Sequence, residues 1–156
     1  MGKKKKTQLF ISNKIKFRKP SKSLSNAPTT HLTFKHTVPS LGSYVIQAAT
    51  SGLITKNQLE SARIVAKRRI KGSNGFVWVL LRPRQIVTKR ALETRMGRGK
   101  GAPFKQLSLI SKGQLLFELH GVSLPRMQMI FIKMREKISV KINLVVVRYP
   151  LDIDKL

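Results

Sequence analysis

The residues best suited to chemistry in this chain form one short stretch, residues 95–101, with the sequence RMGRGKG. Its cations are Arg95, Arg98 and Lys100, and its glycines are Gly97, Gly99 and Gly101. Guanidinium and ammonium groups bind anions, and glycine lets the backbone approach a surface closely because it has no Cβ. Three glycines would each cost ~1 kcal/mol inside a helix, which argues against a helix here. The pattern predicts an exposed basic loop, called the glycine loop below, that is either a solvated turn or a phosphate-binding element.

Two nucleotide-binding motifs do not fit the glycine loop. A Walker A loop requires Ser or Thr after Gly-Lys, and this chain has Gly101 there. A dinucleotide fingerprint requires G-x-G-x-x-G between a strand and a helix, whereas this stretch is G-x-G-x-G followed by Ala102 and Pro103. The loop therefore predicts contact with a polyanion rather than with a bound nucleotide cofactor.

The overall charge favours a polyanionic partner. The chain has 156 residues, with 32 Lys and Arg against six acidic residues and a net charge of +26. Hydrophobic residues make up 41%, which is enough for one domain with a real core. Because self-repulsion destabilises a compact state, a partner that neutralises this charge is expected. Nucleic acid is the first candidate and an anionic membrane surface is the competitor.

Other function classes find little support in the sequence. The chain has no cysteine, which excludes disulfides and thiolate metal sites, and no run of ~20 apolar residues that would span a bilayer. The basic start lacks the apolar segment of a secretory signal, and Arg18 is the only arginine in residues 1–30, a poor match to a transit peptide. His31, His36 and the Glu118/His120 pair lack the neighbouring acids or nucleophiles that a metal or catalytic site needs. We expect no enzyme activity, no metal and no cofactor.

The chain divides into an arm, a domain and a tail. Residues 1–30 are predicted to form a basic, extended arm that is either solvated or ordered on RNA. The total charge favours an arm that becomes ordered on RNA. The arm cations of interest are Lys14, Lys16, Arg18 and Lys19. Residues 31–150 predict a single α+β domain, and residues 151–156 form a short acidic tail.

The first helix begins at a recognisable cap. Thr55 and Gln58 form a capping-box pattern, Glu60 is expected in the first turn, and Gly72 ends the helix. Apolar residues with helical spacing predict a buried face. The opposite side of the helix is predicted to be a phosphate-facing surface. It carries Arg63, Lys67, Arg68 and Arg69, with Lys71 at the end.

The remaining pattern predicts strands around a second helix. Strands are expected at residues 32–38, 44–49, 76–81, 86–88, 106–110, 115–119 and 140–148, and a turn at 50–53. Ser123 is expected to cap the second helix, which has one apolar stripe of Met127, Ile130, Phe131, Met134 and Ile138. The predicted fold is an α+β two-layer sandwich, in which two helices cover a mixed, largely antiparallel sheet.

Three motifs of this chain together resemble a known family. The glycine loop, the sequence LLFELHGV at residues 115–122, and the spacing from Trp78 to Pro83 are similar to the bacterial-type ribosomal protein L-sixteen, whose archaeal and eukaryotic form is L-ten-e. The resemblance extends over residues 13–148. It implies a non-catalytic constituent of the large ribosomal subunit that binds rRNA beside the aminoacyl-tRNA site and supports subunit assembly. The glycine loop would point toward the peptidyl transferase centre, and the basic arm would contact rRNA.

The resemblance also implies partners and a compartment. Expected partners are large-subunit rRNA, aminoacyl-site and peptidyl-site tRNA, and neighbouring ribosomal proteins. The chain departs from typical bacterial members at residues 50–53, in its methionine-rich second helix and at both ends. These departures favour a mitochondrial ribosome over a bacterial or plastid one. A free-standing organellar RNA- or DNA-binding protein, such as a nucleoid component or RNA chaperone, is the alternative, because it would share the electrostatics.

Overall fold

The structure is a computed structural model, which describes residues 38–40, 42–83, 85–97 and 99–147. The basic arm, the acidic tail and all but the last residue of the predicted first strand lie outside these residues. The elements of the described part follow in the order β1 (Tyr44–Ala48), β2 (Gly52–Thr55), α1 (Lys56–Ile70), β3 (Phe76–Val79), β4 (Gln85–Lys89), β5 (Ala102–Ile110), β6 (Leu115–His120), α2 (Leu124–Arg135) and β7 (Ile142–Val146).

The strands form two sheets. One has the order β3-β6-β1-β7 and the other the order β2-β5-β4. Every pairing between described strands is antiparallel. The predicted α+β sandwich is confirmed, although the strands divide between two antiparallel sheets instead of forming one mixed sheet. The division separates β4 and β5, which flank the glycine loop, from the larger sheet.

The core joins the two helices to buried residues of both sheets. The buried face of α1 consists of Leu59, Ala62, Ala66 and Ile70, and that of α2 consists of Met127, Ile130 and Met134. These residues share one cluster with sheet residues such as Ile46, Phe117 and Leu119. Fully burying a Leu, Ile, Phe or Met side chain contributes ~1.5–3 kcal/mol, so the buried helix faces predicted from the helical spacing stabilise this layer.

The capping box of α1 is confirmed. The Gln58 amide N donates to Thr55 Oγ1 at 3.2 Å, and the Thr55 amide N donates to Gln58 Oε1 at 2.9 Å. Gly72 follows the helix with a φ of 92°, a left-handed conformation that glycine adopts without strain. The expectation for Glu60 is wrong, because α1 begins at Lys56 and the first turn contains no acidic residue.

Two other local expectations are also wrong. Ser123 occupies the N-cap position of α2, but its side chain makes no capping hydrogen bond. The predicted turn at residues 50–53 contains the start of β2, which pairs with Leu107–Ile110 of β5. Pairing across the sheet supplies the hydrogen bonds of this strand, so its sequence carries little local signal.

Candidate nucleic-acid interface

The glycine loop lies in the long connection between β4 and β5. Strand β4 ends at Lys89 and β5 begins at Ala102, so the connection leaves the smaller sheet and returns to it. Its described residues from 91 to 100 are all exposed, and Met96 is fully so at 101%. Arg95 and Lys100 are therefore free to reach a large anionic surface, while Arg98 lies outside the described residues.

Arg90 holds the glycine loop from its base. Its Nη2 atom donates to the carbonyl oxygen of Gly97 at 2.6 Å and also to that of Gly99. A charged donor shared by two carbonyls stabilises the loop more than a neutral contact would. The role of Arg90 was not predictable from the loop motif. A cation just before a glycine-rich segment was the only available signal.

The three loop glycines have different surroundings. A Cβ on Gly101 would lie 2.5 Å from the carbonyl oxygen of Lys89, so this glycine permits close approach of β5 to the chain's own β4 strand. A Cβ on Gly97 or Gly99 would meet nothing within 4 Å. The close approach predicted from sequence thus exists at Gly101, but to protein. Close approach of Gly97 and Gly99 to RNA stays a prediction.

The predicted basic face of α1 is not uniform. Arg63 donates from Nε and Nη2 to the two carboxylate oxygens of Glu60 at 3.0 and 2.6 Å. This hydrogen bonding raises the pKa of Arg63 and compensates part of its charge. Lys67 and Arg68 are exposed, and Arg69 is half-buried. The two exposed cations are therefore better placed for phosphate contact than Arg63.

A second arginine, whose role the sequence pattern did not indicate, fixes the end of this basic face. Arg126 of α2 donates from Nε to the carbonyl oxygen of Arg69 at 2.9 Å and from Nη2 to that of Lys71 at 3.2 Å. These are among the last carbonyls of α1, which have no partner inside the helix. Arg126 thus caps α1 and ties it to α2.

A groove runs between the C-terminal half of α1 and the edge strand β3. It has a volume of about 720 Å³, and its lining includes Lys67, Arg68, Lys71 and Phe76. Phe76 is 60% exposed, and its ring stacks on that of Trp78 with centroids 5.9 Å apart. Exposed aromatic rings beside cations are typical of single-stranded nucleic-acid binding.

The smaller sheet carries a second exposed aromatic ring. Phe104 on β5 is 54% exposed. The Nζ atoms of Lys89 and Lys105 lie 5.2 and 4.9 Å from the centre of its ring. Two ammonium groups over one ring form cation–π contacts, so this ring already has partners within the chain.

The acidic and histidine side chains of β6 make contacts within the protein. Glu118 is buried, and the Ser40 amide N lies 3.4 Å from its Oε1 atom. His120 Nδ1 lies 2.8 Å from Ser43 Oγ. Among the residues that the structure describes, no group of three His, Asp or Glu side chains could hold a metal ion. None of the helices in this part of the chain is long and apolar enough to cross a membrane.

Comparison with known proteins identifies a matching family model and similar proteins. The family model described as ribosomal protein L16p/L10e matches residues 12–145. The large ribosomal subunit protein uL16c of Cyanidium caldarium is 40% identical over 116 residues, which cover 74% of this chain and 79% of that protein. The large ribosomal subunit protein uL16 of Tropheryma whipplei strain Twist is 38% identical over 118 residues, covering 74% of this chain and 77% of the relative.

Proposed function

The chain belongs to the ribosomal protein L16p/L10e family and is a structural constituent of the large ribosomal subunit, and we propose that its exposed cations bind the ribosomal RNA beside the aminoacyl-tRNA site. The family match carries this proposal, because it spans residues 12–145 and so includes the arm cations, α1 and the glycine loop. The net charge of +26 supports it, since rRNA phosphates would neutralise the charge. The alternative of a free-standing nucleic-acid-binding protein is not favoured by this match.

The proposed RNA-binding surface has three parts. The first is the basic arm with Lys14, Lys16, Arg18 and Lys19, which lies outside the described residues. The second is the exposed side of α1, where Lys67 and Arg68 contribute more than the paired Arg63 and the half-buried Arg69. The third is the glycine loop, with Arg95, Arg98 and Lys100 as cations. Gly97 and Gly99 leave room for the backbone to follow RNA, whereas Gly101 allows close packing against β4.

The glycine loop is proposed to reach toward the peptidyl transferase centre and the tRNAs in its two sites. The exposed connection between β4 and β5 supports this, because it extends beyond the sheet and Arg90 holds it at its base. The function there is to bind and position RNA, and we propose no catalytic role. No acid or histidine lies among residues 95–101 to act as a general acid or base.

A photo-crosslinking amino acid at Met96 tests the position of the loop. Met96 is fully exposed, so the substitution leaves the fold intact. In ribosomes with a filled aminoacyl site, we expect crosslinks from position 96 to tRNA or to rRNA of the peptidyl transferase centre. Lys112 in the turn between β5 and β6 is the matched control, because β5 separates it from the loop by nine residues, or ~30 Å of strand. Crosslinks to tRNA from position 112 but not from 96 would contradict the proposal.

Salt dependence tests RNA binding by the loop cations. Each phosphate contact adds ~0.7–0.9 to the slope of log affinity against log salt concentration. The double variant Arg95→Ala/Lys100→Ala should therefore lower this slope by about 1.5 for a large-subunit rRNA transcript, with an unchanged circular dichroism spectrum. The control pair Lys112→Ala/Lys141→Ala, exposed cations outside the proposed surface, should keep the original slope. Equal slopes for both double variants would refute the proposal that the loop cations bind rRNA phosphates.

We also propose that the ribosome concerned is mitochondrial. The departures from bacterial members support this, including the α2 methionines Met127, Met129 and Met134. The relatives named above come from a plastid-bearing alga and a bacterium, so plastid and bacterial ribosomes are the competing locations. Fractionation of source cells tests the proposal. The chain should sediment with mitochondrial ribosomes, and its recovery only in plastid or cytoplasmic ribosomes would contradict it.

A further inference from the structure

We propose that the groove between α1 and β3 binds one unstacked nucleobase of single-stranded RNA, with Phe76 as the stacking surface and Lys67, Arg68 and Lys71 as phosphate contacts. The inference rests on the proposed function, because it names a base-binding subsite within the rRNA surface. It adds Phe76 to that surface and assigns a phosphate contact to Lys71 at the end of α1, and neither residue belongs to the glycine loop or the arm.

The shape of the groove suits a nucleotide. Its volume of about 720 Å³ lies within the range of ~300–1,000 Å³ for small-molecule sites. Ile64, Ile70 and Val77 contribute apolar lining between the cations. Strand β3 is the edge strand of the larger sheet, so one side of the groove has no further strand over it within the described residues. A flat ligand can therefore enter from solvent.

Phe76 has no evident role in the core. Its neighbour Val77 packs against the core cluster, whereas Phe76 keeps 60% of its surface exposed. One contact of its ring is the stack on Trp78, with an interplanar angle of 23°. Exposing a large aromatic ring to water is unfavourable, and a base stacked on it would cover its exposed face. A nucleobase would extend the existing pair of rings into a stack of three.

The charge of the groove favours a nucleotide over an apolar protein surface. The lining contains Arg63, Lys67, Arg68 and Lys71 but no acidic residue. Glu60 pairs with Arg63, so it does not offset the positive charges of the exposed Lys67, Arg68 and Lys71. An apolar partner would remove these cations from water without replacing the lost interactions, which is costly. A nucleotide supplies a phosphate for the cations and a flat base for the aromatic ring. A base in a duplex is already stacked on its neighbours and could not reach Phe76.

The single tryptophan of the chain, Trp78, provides a direct probe because it stacks on Phe76. The full chain is titrated with a fluorescently labelled 12-nucleotide oligoadenylate and, separately, with a labelled 12-base-pair RNA duplex. We expect the single strand, but not the duplex, to quench Trp78 fluorescence. Phe76→Leu should lower single-strand affinity by ~5- to 100-fold, since it removes the stacking ring while keeping an apolar side chain. Duplex affinity should change less than about twofold, because phosphate contacts dominate it.

Two control variants separate stacking from general effects. Phe76→Tyr keeps an aromatic ring and should retain single-strand affinity. Phe104→Leu removes another exposed ring that is already covered by two lysines, and it should leave both affinities unchanged. Circular dichroism of each variant checks the fold. Wild-type single-strand affinity in Phe76→Leu, equal losses for single strand and duplex, or absence of Trp78 quenching would each overturn the proposal.

Sedimentation distinguishes this proposal from the assignment to the ribosome. If Phe76→Leu binds oligoadenylate normally but is lost from large subunits, a protein neighbour covers Phe76 and the nucleobase proposal is wrong. If wild type and Phe76→Leu both sediment with large subunits and bind oligoadenylate equally, only the groove proposal fails. If the wild-type chain sediments free of large subunits, the proposed function fails whatever the oligonucleotide data show.

Discussion

Replacing Gly101 with alanine should destabilise the protein, whereas the same change at Gly97 or Gly99 should not. A Cβ at position 101 would lie 2.5 Å from the carbonyl oxygen of Lys89, 2.6 Å from its carbonyl carbon and 2.9 Å from the amide nitrogen of Arg90. Ordinary contacts of a Cβ begin at about 3.4 Å. All three neighbours are backbone atoms, so no side chain can rotate away. The end of β4 must move from the start of β5 by several tenths of an ångström or more.

The expected cost follows from forcing one extra methyl group into a packed site. Such overpacking typically costs ~1–3 kcal/mol. Urea unfolding followed by far-UV circular dichroism measures it. With a slope of ~1–3 kcal/mol per molar urea for small proteins, the midpoint for Gly101→Ala should fall by roughly 1 M. The displacement of β4 from β5 should also weaken the base of the glycine loop.

Gly97 and Gly99 are the matched controls for this substitution. A Cβ at either position meets nothing within 4 Å, and neither residue has a positive φ. Alanine reduces the conformational freedom of the unfolded chain, so these two variants should be unchanged or up to ~1 kcal/mol more stable. Unaltered stability of Gly101→Ala, or an equal loss in Gly97→Ala, would refute the assignment of these glycines. RNA affinity of the control variants then reports on approach of the loop backbone to RNA.

Three further changes test contacts within the protein. Thr55→Ala should lower the free energy of unfolding by ~1 kcal/mol in urea denaturation, because it removes the capping hydrogen bond of α1. Ser123→Ala should lower it by less, since the Ser123 side chain makes no capping hydrogen bond. Arg126→Ala should cost ~1 kcal/mol by losing its two bonds to carbonyls of α1, and the exposed Arg135→Ala should stay within ~0.5 kcal/mol. Arg90→Ala should speed amide hydrogen exchange in the glycine loop, and unchanged exchange would contradict its role as a tether.

The elements with strong local signals were predictable from the sequence. The capping box at Thr55, the helical spacing of apolar residues and the glycine after α1 all depend on residues within one or two turns. Strand β2 was not predictable, because its stability comes from pairing with residues more than 50 positions away. The division into two sheets has the same cause, since periodicity specifies a strand but not its neighbours.

The candidate interface was predictable in composition but not in detail. The glycine loop and the basic side of α1 follow from charge and spacing. The tether from Arg90 and the cap from Arg126 depend on side-chain directions that appear only in the folded chain. Trp78, within the apolar run predicted as a strand at residues 76–81, is half-buried and stacks on an exposed Phe76. An apolar run cannot show which of its side chains an edge strand leaves in solvent.

Sedimentation in a sucrose gradient shows whether the chain is bound to the large ribosomal subunit. Lysed mitochondria of the source organism, or lysed cells if the chain is found elsewhere, are separated at moderate salt and each fraction is probed for the chain. The chain should migrate with the large ribosomal subunit and leave it only at high salt, when phosphate contacts are screened. Migration free of the large subunit at moderate salt would contradict the assignment.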